Sequence, residues 1–252
     1  MTKKVVAIIQ ARVGSTRLPG KSTMLLAGEP LVGRVLERVK ASNRIDDLVL
    51  AIPNTKENKI LEFIGQKHGV KVFKGSELDL VDRYYNAAWE SKSDYVVRIP
   101  ADNPLVQASE IDKIIQHHVT LNRRGFSSNL AQINGSGYPD GIGAEIFDFS
   151  LLEEIHKDFS NMSKREHVHL NFFNYETQIS VNENWCPVST CKCPAEFARP
   201  DIILDVNTKS DFDYIDKIYK DLYPINPNFG IKEIIKWHDN VYKNQRKQVK
   251  NG

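Results

Sequence analysis

Cysteine, net charge and long apolar runs are all scarce in this chain. Three cysteines among 252 residues, an odd number, do not build a disulfide framework and fit a reducing cytosol. Cys186, Cys191 and Cys193 are spaced Cys-x4-Cys-x-Cys; even with His167 and His169 upstream, this differs from the Cys-x2-Cys pairs of zinc sites. A net charge of +2 gives no reason to expect nucleic acid or an anionic membrane as partner. No apolar run approaches the roughly 20 residues of a membrane span, and Met1 to Val6 is too briefly apolar for a signal peptide. Nothing repeats, no linker is of low complexity, and no strand–nucleophile–helix elbow marks a hydrolase. A cytoplasmic location is the expectation, and the length suits one α/β domain, 1–252, with a sizeable core.

What is present is alternation. Val5–Ile9, Leu48–Ile52, Val70–Lys74 and Tyr95–Pro100 are short apolar runs that read as buried strands. Between them, Pro30 opens a helix carrying Leu31, Val35 and Val39, and Lys56–Lys67 and Asp79–Trp89 supply two more. Strands alternating with helices imply right-handed crossovers and a mostly parallel sheet flanked by helices. The stretch 125–200 loses this rhythm. The spacing predicts a further strand at Asp201–Val206, then two closing helices, and a frayed, solvated basic tail from Lys243.

The residues that carry chemistry begin where the first strand stops. Arg12, Arg17 and Lys21 fall within ten residues, together with Gly14, Gly20, Ser15 and Thr16. Such a loop at the carboxyl end of a strand can wrap amides and positive charge around a polyphosphate. Gly20-Lys21-Ser22 imitates the end of a Walker A motif, but that motif needs glycine at position 15, where Ser15 stands. Asp102 follows the fourth strand, where a carboxylate can hold a hard cation; Asp102-Asn103-Pro104 also reads as a turn capping the next helix. Asp205 and Asn207, two apart on the expected strand, point to one face and can reach one cation. Thr208 and Asp211 have capping-box spacing, so Asp211 is assigned to structure.

Ile8-Gln-Ala-Arg-Val-Gly-Ser-Thr-Arg-Leu-Pro-Gly-Lys21 resembles the signature loop of the CTP-dependent cytidylyltransferases. These include the spore-coat polysaccharide type and, more distantly, the CMP-Kdo and CMP-sialate (acylneuraminate) synthetases. The resemblance runs to about residue 222 and implies a Rossmann-like nucleotidyltransferase fold. It divides the chain into a nucleotide-binding half (1–124), an acceptor-binding and dimer insertion (125–200), and a closing strand and helices (201–252). It also implies transfer of CMP from CTP to a sugar acid or phosphorylated acceptor, pyrophosphate release, Mg²⁺ as cofactor, a homodimer and a role in surface polysaccharide synthesis. Arg12, Arg17, Lys21 and Asp102 would be the catalytic set. Ala11, Gly14, Ser15, Asn54, Ser76 and Arg83 would complete the nucleotide site, the last two from Gly75-Ser76-Glu-Leu-Asp79-Leu-Val-Asp-Arg83. Arg83 equally reads as an i,i+4 ion pair with Asp79. Asp102, Asp205 and Asn207 would hold the metal; Asn207 stands where relatives more often carry aspartate, and Ala101 where they carry glycine. Tyr138-Pro-Asp140-Gly-Ile-Gly-Ala-Glu145 and Arg165-Glu-His167-Val168 resemble the family's acceptor segments, so Tyr138, Asp140, Glu145, Arg165 and His167 become acceptor candidates. A transferase using another nucleotide, or a non-catalytic nucleotide-binding protein with Asn207 marking a decayed metal site, fits the same residues.

Overall fold

The structure, a computed structural model, describes residues 3–158 and 162–250. Seven strands form one sheet: β1 (Val5–Gln10), β2 (Asp47–Pro53), β3 (Lys71–Gly75), β4 (Tyr95–Pro100), β5 (Phe126–Ser128), β6 (Glu145–Asp148) and β7 (Val188–Ser189). Their order is β7-β5-β6-β4-β1-β2-β3. β1 lies between β2 and β4, parallel to both, and β3 continues the parallel run. β6 inserts antiparallel between β4 and β5.

Alternate residues of β1 feed two cores. Val5, Ala7 and Ile9 pack under α1 (Leu31–Lys40), α2 (Lys59–Lys67), α4 (Ala108–Leu121), α6 (Lys209–Leu222) and α7 (Ile231–Lys250). Val6 and Ile8 pack on the other face, under α3 (Leu80–Glu90) and α5 (Phe149–Lys157). A strand buried on both faces has to be apolar throughout, and β1 is apolar until Gln10. This is an α/β architecture with a mostly parallel sheet flanked by helices, as expected. Among the described residues no helix is long and apolar enough to cross a membrane.

Three expectations change. The stretch 125–200 supplies three strands of the main sheet, β5 to β7; at two to four residues each they are too short to show a period. Asp201–Val206 is not a sheet strand. It is extended, but its partner is the loop around Asp140, through the single bridge Asp140–Ile203. The last helix runs on to Lys250 rather than fraying from Lys243; Asn251 and Gly252 lie outside the described residues.

Candidate active site

The loop after β1 closes on itself. The amides of Ser15 and Gly20 donate to the Val13 carbonyl (2.9 and 3.1 Å), and Ser22 Oγ donates to the Arg12 carbonyl (3.1 Å). Gly20 has φ +73°, a left-handed turn that suits glycine. From outside the loop, the buried Asn58 accepts the Val13 amide at 2.9 Å and donates to Thr55 Oγ1. Asn58 thus fixes the loop's position, and the sequence hid it inside a stretch read as helix; α2 begins only after it.

Arg12, Arg17, Lys21 and Arg83 line one cleft of about 930 Å³, with Ala11 and Ser15 beside them. Arg12 and Arg17 are exposed, and no described carboxylate forms an ion pair with either. Arg83 is buried; one Nη donates to the Ser76 carbonyl (3.1 Å) and Nε has no partner. Burial, and Arg12 nearby, pull its pKa down to about 10, so it keeps its charge at neutral pH. The expected Arg83–Asp79 pair does not form. Asp79 caps α3 by accepting the Asp82 amide (2.8 Å), and its other oxygen takes Arg165 (2.7 Å).

Three aspartates line the same cleft. The Val206 amide donates to the Asp102 carbonyl (2.9 Å), the Asp140 amide to the Ile202 carbonyl (3.0 Å), and the Leu204 amide to the Asp140 carbonyl (3.2 Å). These bonds stitch three separate segments together and bring Asp102, Asp140 and Asp205 to the same cleft. Gly141 permits it: at φ +84°, an added Cβ would lie 2.9 Å from the Leu204 carbonyl carbon. Burial and the charges of Asp205 and Asp102 push the Asp140 carboxyl up to about 6. Burial and Asp102 raise Asp205 as well. Lys21 Nζ meets Asp102 Oδ2 at 2.7 Å, one ammonium against three carboxylates. That surplus of mutually repelling oxygen donors fits a hard divalent cation. Asn207 joins by donating its amide to Asp205. Asp211 does not join, because it accepts the amides of Asn207 and Thr208 in the capping box of α6.

A tighter ligand group, Glu29, Glu37 and His68, lies away from the cleft. Lys67 and Arg34 already pair with its carboxylates, so it reads as an ion-pair network. The thiol of Cys186 is buried and pushed up to about 12. Burial raises the Cys191 and Cys193 thiols too.

The acceptor candidates divide. Asp140 and His167 line the cleft. Tyr138, Glu145 and Arg165 stand behind its wall, each held by partners in the fold. The Tyr138 hydroxyl is 3.5 Å from Cys191 Sγ and the Lys192 carbonyl. Glu145 is fully buried, accepting from Arg98 Nη1 at 2.6 Å and from the Tyr175 hydroxyl. Arg165 holds Asp79 and donates to the carbonyls of Ile155, His156 and Asp158 (3.1, 3.2 and 3.1 Å). Of the nucleotide candidates, Gly14, Asn54 and Ser76 do not line the cleft. Ser76 Oγ accepts the Asp79 amide (3.0 Å), and the Asn54 amide donates to the Gly75 carbonyl (2.9 Å). Conversely Gln10, Arg98, His169, Tyr175 and Gln178 line it without having been expected. Arg98 left a trace in the sequence, as a charge inside an otherwise apolar strand.

A cation-bearing loop at the carboxyl end of a parallel strand, set against a carboxylate group from the neighbouring strand, is the arrangement of a nucleotidyltransferase. The chain matches the cytidylyltransferase family over residues 6–236 and belongs to it. It is 31% identical over 221 residues to the spore coat polysaccharide biosynthesis protein SpsF of Bacillus subtilis, covering 86% of each chain. Among solved structures it is similar to a cytidylyltransferase from Leptospira borgpetersenii, at 27% identity, TM-score 0.84 and 96% coverage of each chain. A CMP:2-keto-3-deoxy-manno-octonic acid synthetase solved with CTP shares the fold at 14% identity and TM-score 0.62, with 87% of this chain and 99% of that one covered.

Proposed function

We propose that this enzyme transfers CMP from CTP to a small acceptor and releases pyrophosphate. The observation that carries the reading is that Arg12, Arg17, Lys21 and Arg83 share one cleft with Asp102, Asp140 and Asp205, with Lys21 paired directly to Asp102. A triphosphate supplies the charge that the first group wants and, with a metal, the charge that the second group wants. Arg12, Arg17 and Lys21 would bind the triphosphate, with Ser15 and loop amides fixing its register and Arg83 adding charge from beneath. Asp102 and Asp205, oriented by Asn207 and flanked by Asp140, would hold Mg²⁺. Bound there, a divalent cation supplies neutralisation of phosphate charge. An acceptor oxygen, placed in line, attacks the α-phosphorus; the bond to the bridging oxygen of the β-phosphate breaks and pyrophosphate leaves with that electron pair, a phosphate-ester acceptor attacking already ionised and a hydroxyl acceptor giving its proton to a cleft carboxylate or to water. No enzyme nucleophile is needed. The family membership and the resemblance to SpsF favour an acceptor used in surface polysaccharide synthesis.

The test is pyrophosphate release with Mg²⁺ and each of the four nucleoside triphosphates, against a panel of sugar acids and phosphorylated polyols. Release with CTP alone supports the proposal. Release with another nucleotide in preference to CTP overturns the base assignment, and no release with no CTP binding by calorimetry overturns the reading.

A further inference from the structure

One peptide bond in the loop after β1 is held at both of its polar ends by side chains. The Arg12 carbonyl accepts from Ser22 Oγ at 3.1 Å, and the Val13 amide donates to Asn58 Oδ1 at 2.9 Å. That carbonyl and that amide belong to a single planar unit. Ser22 is 4% exposed and Asn58 3%, so water does not compete for either contact.

Neither side chain is used where its place in the chain would put it. Asn58 stands at the N-cap of α2, where asparagine ordinarily accepts an amide of the first helical turn. It makes no such bond. Its Oδ1 instead reaches a residue 45 positions away, while Nδ2 is fixed on Thr55 Oγ1 at 2.8 Å. Thr55 is in turn tied to the end of β2, its amide donating to the Pro53 carbonyl at 2.9 Å. A helix cap given up for a distant contact is stability exchanged for loop geometry. Ser22 lines the cleft, yet its hydroxyl turns back to the loop's own backbone.

The pinned peptide governs what a polyphosphate would meet. Arg12 branches from one side of it. On the other side, the Val13 carbonyl accepts the amides of Ser15 (2.9 Å) and Gly20 (3.1 Å). One peptide therefore sets the root of a cation and the closure of the loop together. Without its two struts it could rotate about the flanking bonds, and ordering the loop would then fall to the ligand, at the expense of affinity.

We infer that Asn58 and Ser22 are positioning residues: they clamp the Arg12–Val13 peptide and hold the loop in its triphosphate-binding shape before a nucleotide arrives. The inference rests on the nucleotidyl-transfer reading for the identity of the ligand, and the clamp itself does not.

The test measures binding of CTP and of inorganic tripolyphosphate by calorimetry, well below the melting temperature of each variant. Hydrogen exchange of the Val13 amide is followed by NMR in nucleotide-free protein. The variants are Asn58→Ser, Ser22→Ala and the two combined. Serine caps a helix about as well as asparagine, but it is one bond too short to reach Val13. Each single variant should weaken both ligands about tenfold, the loss of one well-made hydrogen bond, and Asn58→Ser should speed exchange of the Val13 amide. Because both side chains hold one peptide, the double variant should bind little worse than the weaker single variant. A merely structural role would lower the melting temperature and leave affinity alone. Unchanged affinity in either folded single variant, an unaltered Val13 exchange rate in Asn58→Ser, or an additive loss of about a hundredfold in the double variant overturns the proposal. Should Asn58→Ser not fold, the affinity of Ser22→Ala decides. Wild-type protein that binds tripolyphosphate but not CTP overturns the cytidine reading, and the clamp is then judged on tripolyphosphate; wild-type protein that binds neither overturns both.

Discussion

Lys21 Nζ lies 2.7 Å from Asp102 Oδ2 and 2.7 Å from the carbonyl oxygen of Val206, so one loop cation ties the end of β4 to the segment that carries Asp205. The same ammonium is placed to meet a phosphate and to compete with a metal for Asp102. Lys21→Met should lower kcat/KM for CTP about 10²- to 10³-fold, as expected for loss of a charge aimed at the reacting phosphates. It should not weaken Mn²⁺ binding, because a competitor for Asp102 has gone. Asp102→Asn should weaken Mn²⁺ binding at least about tenfold through loss of a charged ligand. Electron paramagnetic resonance of added Mn²⁺ separates the two; weaker binding in Lys21→Met would show that the lysine builds the metal site.

Arg17 is an exposed guanidinium in the same cleft. A charge-assisted hydrogen bond contributes about 1.5–3 kcal/mol, so Arg17→Ala should raise KM for CTP by roughly 10- to 100-fold. Its melting temperature should stay close to wild type, since no folded-state ion pair is lost. An unchanged KM would remove Arg17 from the phosphate site.

These two sites show what could be read in advance. The loop from Arg12 to Lys21 is contiguous, follows an apolar strand and needs no long-range contact to be recognised. Asp102 and Asp205 were legible for a similar reason, each lying at the end of an apolar run. The way they meet was not. Asp201–Val206 pairs with the Asp140 loop and not with the sheet, and a sequence period cannot say which backbone will be the partner. Arg165 and Glu145 do not line the cleft: a local motif shows a charge but not the buried opposite charge, Asp79 or Arg98, that holds it.

Arg165 should therefore act on stability and not on substrate. It is 3% exposed on its side chain and pairs with an Asp79 side chain 20% exposed. Breaking one partner of a buried pair leaves an uncompensated charge, at a cost of about 3 kcal/mol. Arg165→Ala should lose about that much in urea unfolding, while KM for CTP in the surviving folded enzyme changes little. A large rise in KM without loss of stability would return Arg165 to the site.

Asp140 gives the pH prediction. Its carboxyl is raised from 3.8 to about 6 in the folded protein, by burial and then by Asp205 and Asp102. A raised folded pKa means that the folded state holds the proton more tightly, so its contribution to stability is fully present below 3.8. That contribution is lost as pH rises through about 6. In chelator, Asp140→Asn removes the titrating group, and the variant should gain on wild type across this window, by on the order of 2 kcal/mol at neutral pH. Adding Mg²⁺ at neutral pH should reverse the ranking, because the wild type then has a counter-charge for the carboxylates and the variant binds it less well. Melting curves from acid to neutral pH, with and without Mg²⁺, check both halves; a stability difference that does not change with pH would mean that Asp140 is ionised throughout and that repulsion among the three aspartates is already relieved within the fold.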